Sequence, residues 1–311
     1  DVVVNFELSS GGLVWSGNAR PIPQVRAGFI DFVDIPFTKG WVQIKGELAY
    51  GKFMDNDFLR DHYNYYNQYI TTDALCHHKS ISFRSNPDKP FVVTIGAELA
   101  AQFGGTKRYY EKGILIDSLT MKSPTRLKDF FKILFPSSGD GQTNEGDQAY
   151  YYGNHVGQWN LSAEYRFKDN SSVRGYFEWY FDDASGMGKF NGWDGLWGLE
   201  YKSGKKNWLS NVVLEYLDMT NQSGPLNWCP SDYNDPKLDI EATGADDYYN
   251  NYFYNGWAHY GLSNGTAMAK SLLYNTDGYM RYKHNRIRGV HLGASGYIAP
   301  EWKYKILPYI C

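Results

Sequence analysis

The chain has 311 residues, with 31 Lys and Arg against 34 Asp and Glu, for a formal net charge of −3. This balance, with no basic run and no zinc-finger spacing, gives no footing to nucleic acid as a partner. No run of about 18 apolar residues occurs, which excludes a transmembrane helix but not a membrane barrel, whose strands need only about 10 alternating residues each.

Aromatic residues make up 17%, with 27 Tyr and 10 Trp, a composition suited to membrane interfaces and sugar-binding surfaces alike. Mean hydropathy is −0.53, as expected of a barrel with a polar lumen and large loops. The three cysteines, Cys76, Cys229 and Cys311, form no C-x-x-C pair, which argues against a zinc site. A Cys76–Cys229 bridge and free thiols both remain open. No signal peptide is evident, and DVVVNFEL opens within a strand-like pattern.

In chain order, period-2 patterning predicts about eleven strands, near 2–8, 24–32, 41–53, 77–85, 91–103, 157–168, 172–182, 193–202, 207–219, 286–298 and 301–310. In 41–53, Val42, Ile44, Leu48 and Tyr50 alternate with Gln43, Lys45 and Glu47. In 91–103, Ile95, Ala97 and Leu99 oppose Thr94, Glu98 and Gln102. The clearest hairpin is QWNLSAEYRFKDNSSVRGYFEWYF. Trp159, Leu161, Tyr165, Phe177 and Trp179 share one face, while Glu164, Arg166, Arg174, Glu178 and Asp182 share the other. Even pairing parity makes Glu164 and Arg174 opposite or diagonal neighbours.

Connection lengths alternate. Short links at SNPDKP, KDNSS, SGKK and Ala299-Pro300 separate long ones at 54–76, 104–156, 183–192 and 220–285. This is the pattern of an outer-membrane barrel, with turns on one side and large loops on the other. The apolar hairpin face then meets lipid, and the five charged residues line a wet lumen. Trp41, Trp159, Trp179, Trp193, Trp197, Trp208 and Trp302 fall near strand ends, as interface girdles require. Within one long loop, Leu127, Phe130, Phe131 and Leu134 follow a helical period over 125–135, with Ser123 as N-cap and Pro124 as the first helical residue. This helix is expected to cover or plug the barrel mouth; a membrane-lying or partner-binding helix is the other reading.

An odd strand count, and an end at EWKYKILPYIC without an aromatic strand terminus, suggest an incomplete barrel. Several stretches together resemble the Wzi family of capsule-assembly proteins in its Bacteroides-type version: LSSGGLVWSGNARPIPQVRAG, PFTKGWVQIKGELAYG, HHKSISFR, GAELAAQFGG, EGDQAYYYGNHVGQW, SGMGKFNGWDGLWGLE and YLDMTNQSGP. The resemblance spans most of the chain. It implies an all-β, antiparallel, eighteen-stranded outer-membrane barrel, of which residues 1–311 form a single incomplete domain. It also implies a surface lectin that holds capsular polysaccharide, working as a monomer in outer-membrane lipid.

Two long-loop stretches combine rings that stack on pyranoses with groups that bond hydroxyls. One offers Tyr150, Tyr151, Tyr152, Asn154 and His155. The other offers Asp246, Asp247, Tyr248, Tyr249, Tyr252, Tyr254, Trp257 and Tyr260. These are the candidate carbohydrate-binding residues. No catalytic site is read. Glu178 and Asp182 lie four apart on a strand, about 13 Å, too far for a glycosidase pair. Adjacent His77 and His78 point to opposite faces, so no metal or cofactor is expected. A saccharide diffusion channel of the same fold and a soluble all-β carbohydrate-binding protein or glycosidase are the competing readings.

Overall fold

The computed structural model describes residues 5, 7–149, 151–182, 192–227 and 242–310. Ten of the expected segments form one antiparallel sheet of eleven strands, because the segment near 301–310 divides in two. The wall strands are β1 (Gln24–Asp34), β2 (Val42–Lys52), β3 (Leu75–Ser85), β4 (Phe91–Phe103), β5 (Asn154–Arg166) and β6 (Ser172–Asp182). β7 (Gly195–Lys202), β8 (Asn211–Asp218), β9 (Arg288–Ala299), β10 (Trp302–Ile306) and β11 (Tyr309–Ile310) complete it. Each strand pairs with its successor from β1 to β10, and β11 adds to β9. β1 and β10 do not pair, so the sheet is not closed. The expected strand near 2–8 is absent among its described residues.

Register confirms the parity argument. Trp159 faces Trp179, Leu161 faces Phe177, and Glu164 faces Arg174. The apolar face points outward: Leu161, Leu199, Leu214 and Leu292 are 42–53% exposed. The opposite face is buried, with Glu98, Gln158, Glu178, Glu215 and His291 nearly inaccessible. This inverts a soluble protein, whose large apolar patches are normally covered. Exposed Trp41, Trp208 and Trp302 stand at the short-turn ends. At the long-loop ends Trp179 stacks on Trp193 at 5.1 Å, beside Trp197.

The interior is not a wet lumen. Residues 7–23, without strand pairing, run through it. Leu13 N–H donates to Glu178 at 2.8 Å, Val14 N–H to Gln158 at 3.2 Å, and Ser10 N–H to Glu215 at 2.7 Å. His291 Nε2 donates to the Leu8 carbonyl at 2.6 Å. Side chains of four wall strands thus satisfy a backbone that has no sheet partner of its own. Gly293 permits the approach: a β-carbon there would stand 2.3 Å from the Leu8 oxygen. Above this segment, residues 246–287 fill the long-loop half around Tyr248, Tyr249, Trp257 and Tyr282.

The five charged hairpin residues share the inward face but not one environment. Glu178 is dry, and Asp182 accepts from Tyr180 Oη at 2.6 Å. Of its two register partners, Glu164 and Glu200, Arg174 pairs with Glu200, at 2.5 Å. Glu164 instead receives Arg166 at 2.8 Å, near the short-turn end.

Among the described residues, three α-helices lie in the long loops: α1 (Asn56–Tyr63), α2 (Leu127–Leu134) and α3 (Glu145–Ala149). Helix α2 confirms the expected period but not the cap. Arg126 is the N-cap, and its N–H donates to Asp129 at 2.7 Å. Ser123 is unavailable, since its N–H donates to Gly105 and its hydroxyl accepts from Lys107. Nor does α2 plug the interior: it packs on the outer wall against Phe103 and Tyr50. A second sheet in the loops pairs Gln68–Thr72 with Thr106–Glu111. Cys76 is buried and free; Cys229 and Cys311 lie outside the described residues.

Candidate functional site

The long connections converge at one end of the wall, and there they leave a cavity of about 370 Å³. The end of β2 supplies Lys52, helix α1 supplies Asn56, Asp57, Phe58 and Arg60, and the loop sheet supplies Thr72 and Arg108. Phe53, Met54, Asp73 and Tyr260 complete the lining.

Tyr260 is held there by an unusual turn. Ala258–His259 pairs with Leu262–Ser263, leaving Tyr260 and Gly261 as the two central residues. Both have positive φ, 52° and 72°, the type I′ pattern that ordinarily selects Asn-Gly. A tyrosine at this position costs on the order of 1 kcal/mol and persists only when its surroundings hold it. Here Tyr260 N–H donates to Asp55 at 2.9 Å and its hydroxyl donates to the Met54 carbonyl at 2.8 Å. Phe58 packs 5.6 Å away, and the Arg20 guanidinium lies 4.4 Å over the ring.

Asp55 is buried, and burial pushes its carboxyl above the usual range. Lys52 Nζ meets Asp73 at 2.7 Å, and this hydrogen bond holds the Asp73 carboxyl below its ordinary value. Asn56 and Asp73 exchange bonds at 2.8 and 3.1 Å. Arg60 pairs with Asp57, and Arg108 donates to Thr72. Lys52, Arg60 and Arg108 therefore outnumber Asp57 and Asp73 around the opening, before Arg20 is added. The arrangement offers rings for a pyranose face, amide and hydroxyl bonding, and surplus positive charge for an anionic group.

No protein-family model matches this chain, and no curated protein matches it. Its fold is similar to that of a solved structure, Wzi, described as an outer membrane protein involved in group 1 capsule assembly in Escherichia coli and a carbohydrate-binding β-barrel. The two share 14% identity and a TM-score of 0.49, over 97% of this chain and 60% of that one. The chain thus spans about three fifths of the length of the structure it matches. A likeness this distant assigns no ligand.

The residues singled out from the sequence separate into three groups. Tyr150 lies outside the described residues. Tyr152, Asn154, His155, Tyr248, Tyr249, Tyr254 and Trp257 are buried. Their polar atoms work internally: Asn154 donates to Gln102 at 3.0 Å, His155 Nε2 donates to the Tyr152 carbonyl at 2.9 Å, and Trp257 Nε1 donates to Val14 at 2.8 Å. Tyr248 and Tyr249 pack on Tyr180, so none of these rings presents a face to a ligand.

The third group reaches the surface. Tyr151 and Asp246 are half-buried, Asp247 is engaged by Arg281 and Asn285 at 2.7 Å each, and Tyr252 is exposed against Tyr69 and Phe253. Of the candidates among the described residues, only Tyr260 lines the cavity. The sequence reading missed Lys52, Asn56, Phe58, Arg60, Asp73 and Arg108. Their signal was weak: a short amphipathic helix with Asp57 and Arg60 one turn apart, and a Tyr-Gly pair where a tight hairpin needs left-handed backbone.

Proposed function

We propose that this chain is an outer-membrane β-barrel protein that binds capsular or other surface polysaccharide at its long-loop mouth, without chemical turnover and as a monomer. The observation that carries this reading is Tyr260, fixed in a left-handed turn beside Arg20 and facing a cavity with surplus cations. Backbone strain kept at a surface ring is characteristic of binding sites. The apolar outer face and the two rings of Trp support a barrel set in lipid. A polysaccharide ligand follows from these residues, while the capsular assignment and a place in the Wzi-like family are what the resemblance implies.

The polysaccharide is expected to be acidic. Stacking on Tyr260 orients a sugar ring, while Lys52, Arg60 and Arg108 receive carboxylates along the chain. The test is retention of purified acidic capsule on the immobilised, detergent-solubilised full-length protein. Wild type should retain acidic polysaccharide at low salt and release much of it at high salt, because exposed charges are screened. Arg60→Ala with Arg108→Ala should weaken retention by about tenfold, equivalent to about 1.4 kcal/mol. Equal retention of neutral and acidic glycans would remove the acidic assignment, and no retention of either would remove the lectin reading.

A channel is the competing function. The segment 7–23 and the loop 246–287 occupy the interior that a channel would need open. Stable, large conductance of the full-length protein in planar bilayers would favour the channel.

A further inference from the structure

Helix α2 continues the outer wall beyond the apolar belt. Tyr50, Lys79 and Phe103 share the outward face of β2, β3 and β4 with exposed Ile81 and Ile95, by strand register. The helix lies across them. Phe130 packs on Phe103 at 5.2 Å, the Tyr50 hydroxyl donates to the Phe130 carbonyl at 3.3 Å, and Ile133 is fully buried against the wall. Lys79 Nζ donates to the Ile133 carbonyl at 3.2 Å and to that of Leu134, satisfying the C-terminal carbonyls.

The remaining surface of the helix divides into two rows. Arg126, Lys128 and Lys132 converge on Asp140 of the following loop, at 2.8, 2.9 and 3.7 Å. Leu127, Phe131 and Phe135, spaced i, i+4, i+8, form a second row that is 76%, 56% and 70% exposed. No described residue of the loop covers this row. The cations bind the helix to its loop, so the apolar row faces elsewhere.

We propose that α2 is an interfacial helix whose Leu127–Phe131–Phe135 row enters the lipid leaflet on the long-loop side of the membrane. This rests on the barrel reading above. Continuity with the belt identifies the occupant. Lys79, which holds the end of α2, is two residues from Ile81 on β3, a rise of about 7 Å. That places the helix where amphipathic helices lie, with the apolar face about 5–10 Å into the headgroup boundary. Charge agrees: Lys79, Arg126, Lys128 and Lys132 exceed Asp129 and Asp140 by two, a surplus that complements lipid phosphates. The loop that forms the mouth is thereby tied to the membrane surface at a second point.

The test is photo-crosslinking of the full-length protein in outer membranes, with benzoylphenylalanine replacing Phe131. The same replacement at Leu161, in the belt, and at Tyr252, on an exposed loop, brackets the result. Position 131 should give lipid adducts by mass spectrometry at a yield comparable to position 161 and well above position 252. Lipid adducts at 161 with none at 131, or a protein adduct at 131, would overturn the helix proposal and leave the barrel intact. Absence of lipid adducts at both 131 and 161 would overturn both.

Discussion

The backbone N–H of Leu13 donates to the carboxyl group of Glu178 at 2.8 Å, and both residues are fully buried. The bond joins an unpaired segment of chain to the middle of the barrel wall. Replacing Glu178 by Leu leaves that donor buried without an acceptor, at a cost of about 1–3 kcal/mol. Glu178→Gln keeps a carbonyl oxygen in place and should cost less. Gly293→Ala attacks the same segment from the opposite wall, since its β-carbon would meet the Leu8 oxygen at 2.3 Å. All three can be ranked by the temperature at which the folded band disappears in heat-modifiability gels. Glu178→Leu melting with wild type would show that segment 7–23 contributes little to the fold.

Arg174 stands between Glu164 and Glu200 in register and bonds to Glu200, at 2.5 Å. Both members of that pair are largely shielded, so breaking it should cost more than breaking the exposed Arg166–Glu164 pair. Glu200→Gln is expected to destabilise by on the order of 3 kcal/mol, and Glu164→Gln by less than about 1 kcal/mol. Unfolding in urea with the barrel in detergent compares them directly. Equal losses would mean that water reaches Arg174.

The wall was legible because its signal is local. Alternation in segments such as Trp159–Phe167 sets strand, face and register at once, and the lengths of the links set which end carries the loops. The content of the barrel was not legible. The bonds of Leu13 and Val14 go to Glu178 and Gln158, more than a hundred residues away, and leave no periodic trace. The same limit applies to the loop aromatics. Tyr248, Tyr249 and Trp257 have the composition of a sugar-binding surface, and only packing reveals that they are interior. For α2 the period was readable, whereas the side of the wall it covers depends on Phe103 and Tyr50.

Cys76 is buried behind the wall and has no disulfide partner among the described residues. It should resist maleimide while the barrel is folded and react on unfolding, as expected of an inaccessible thiol. Mass mapping of labelled peptides separates it from Cys229 and Cys311. Rapid labelling of Cys76 in the folded protein would show that this part of the wall opens.

Lys107 is buried in the loop sheet, 4.0 Å from Asp147, and burial lowers its pKa to about 8. The unfolded value is about 10.4, so between these values the unfolded chain binds the extra proton. Stability of the loop should therefore be flat below about pH 8 and rise with pH up to about 10.4. Hydrogen exchange over residues 106–122, corrected for intrinsic rates, should slow between pH 8 and 10 in wild type. Lys107→Met should abolish the added protection; an unchanged pH response in that variant would assign it to another group.

Tyr260 separates stability from binding. Glycine suits its φ of 52°, so Tyr260→Gly relieves strain of on the order of 1 kcal/mol. The same change removes the exposed hydroxyl bond to Met54, worth about 1 kcal/mol, and the contact with Arg20. Strain relief offsets only part of these losses, because the Phe58 and His259 ring contacts go as well, so the melting temperature should fall modestly. Binding has no such compensation. Loss of the ring removes about 0.5–1.5 kcal/mol of stacking and the surface that orients the sugar, so retention of acidic polysaccharide should fall by about tenfold. Tyr260→Phe keeps the ring and should retain most binding. If folded Tyr260→Gly bound as well as wild type, the cavity would not be the polysaccharide site, and exposed Tyr252 would become the next ring to test.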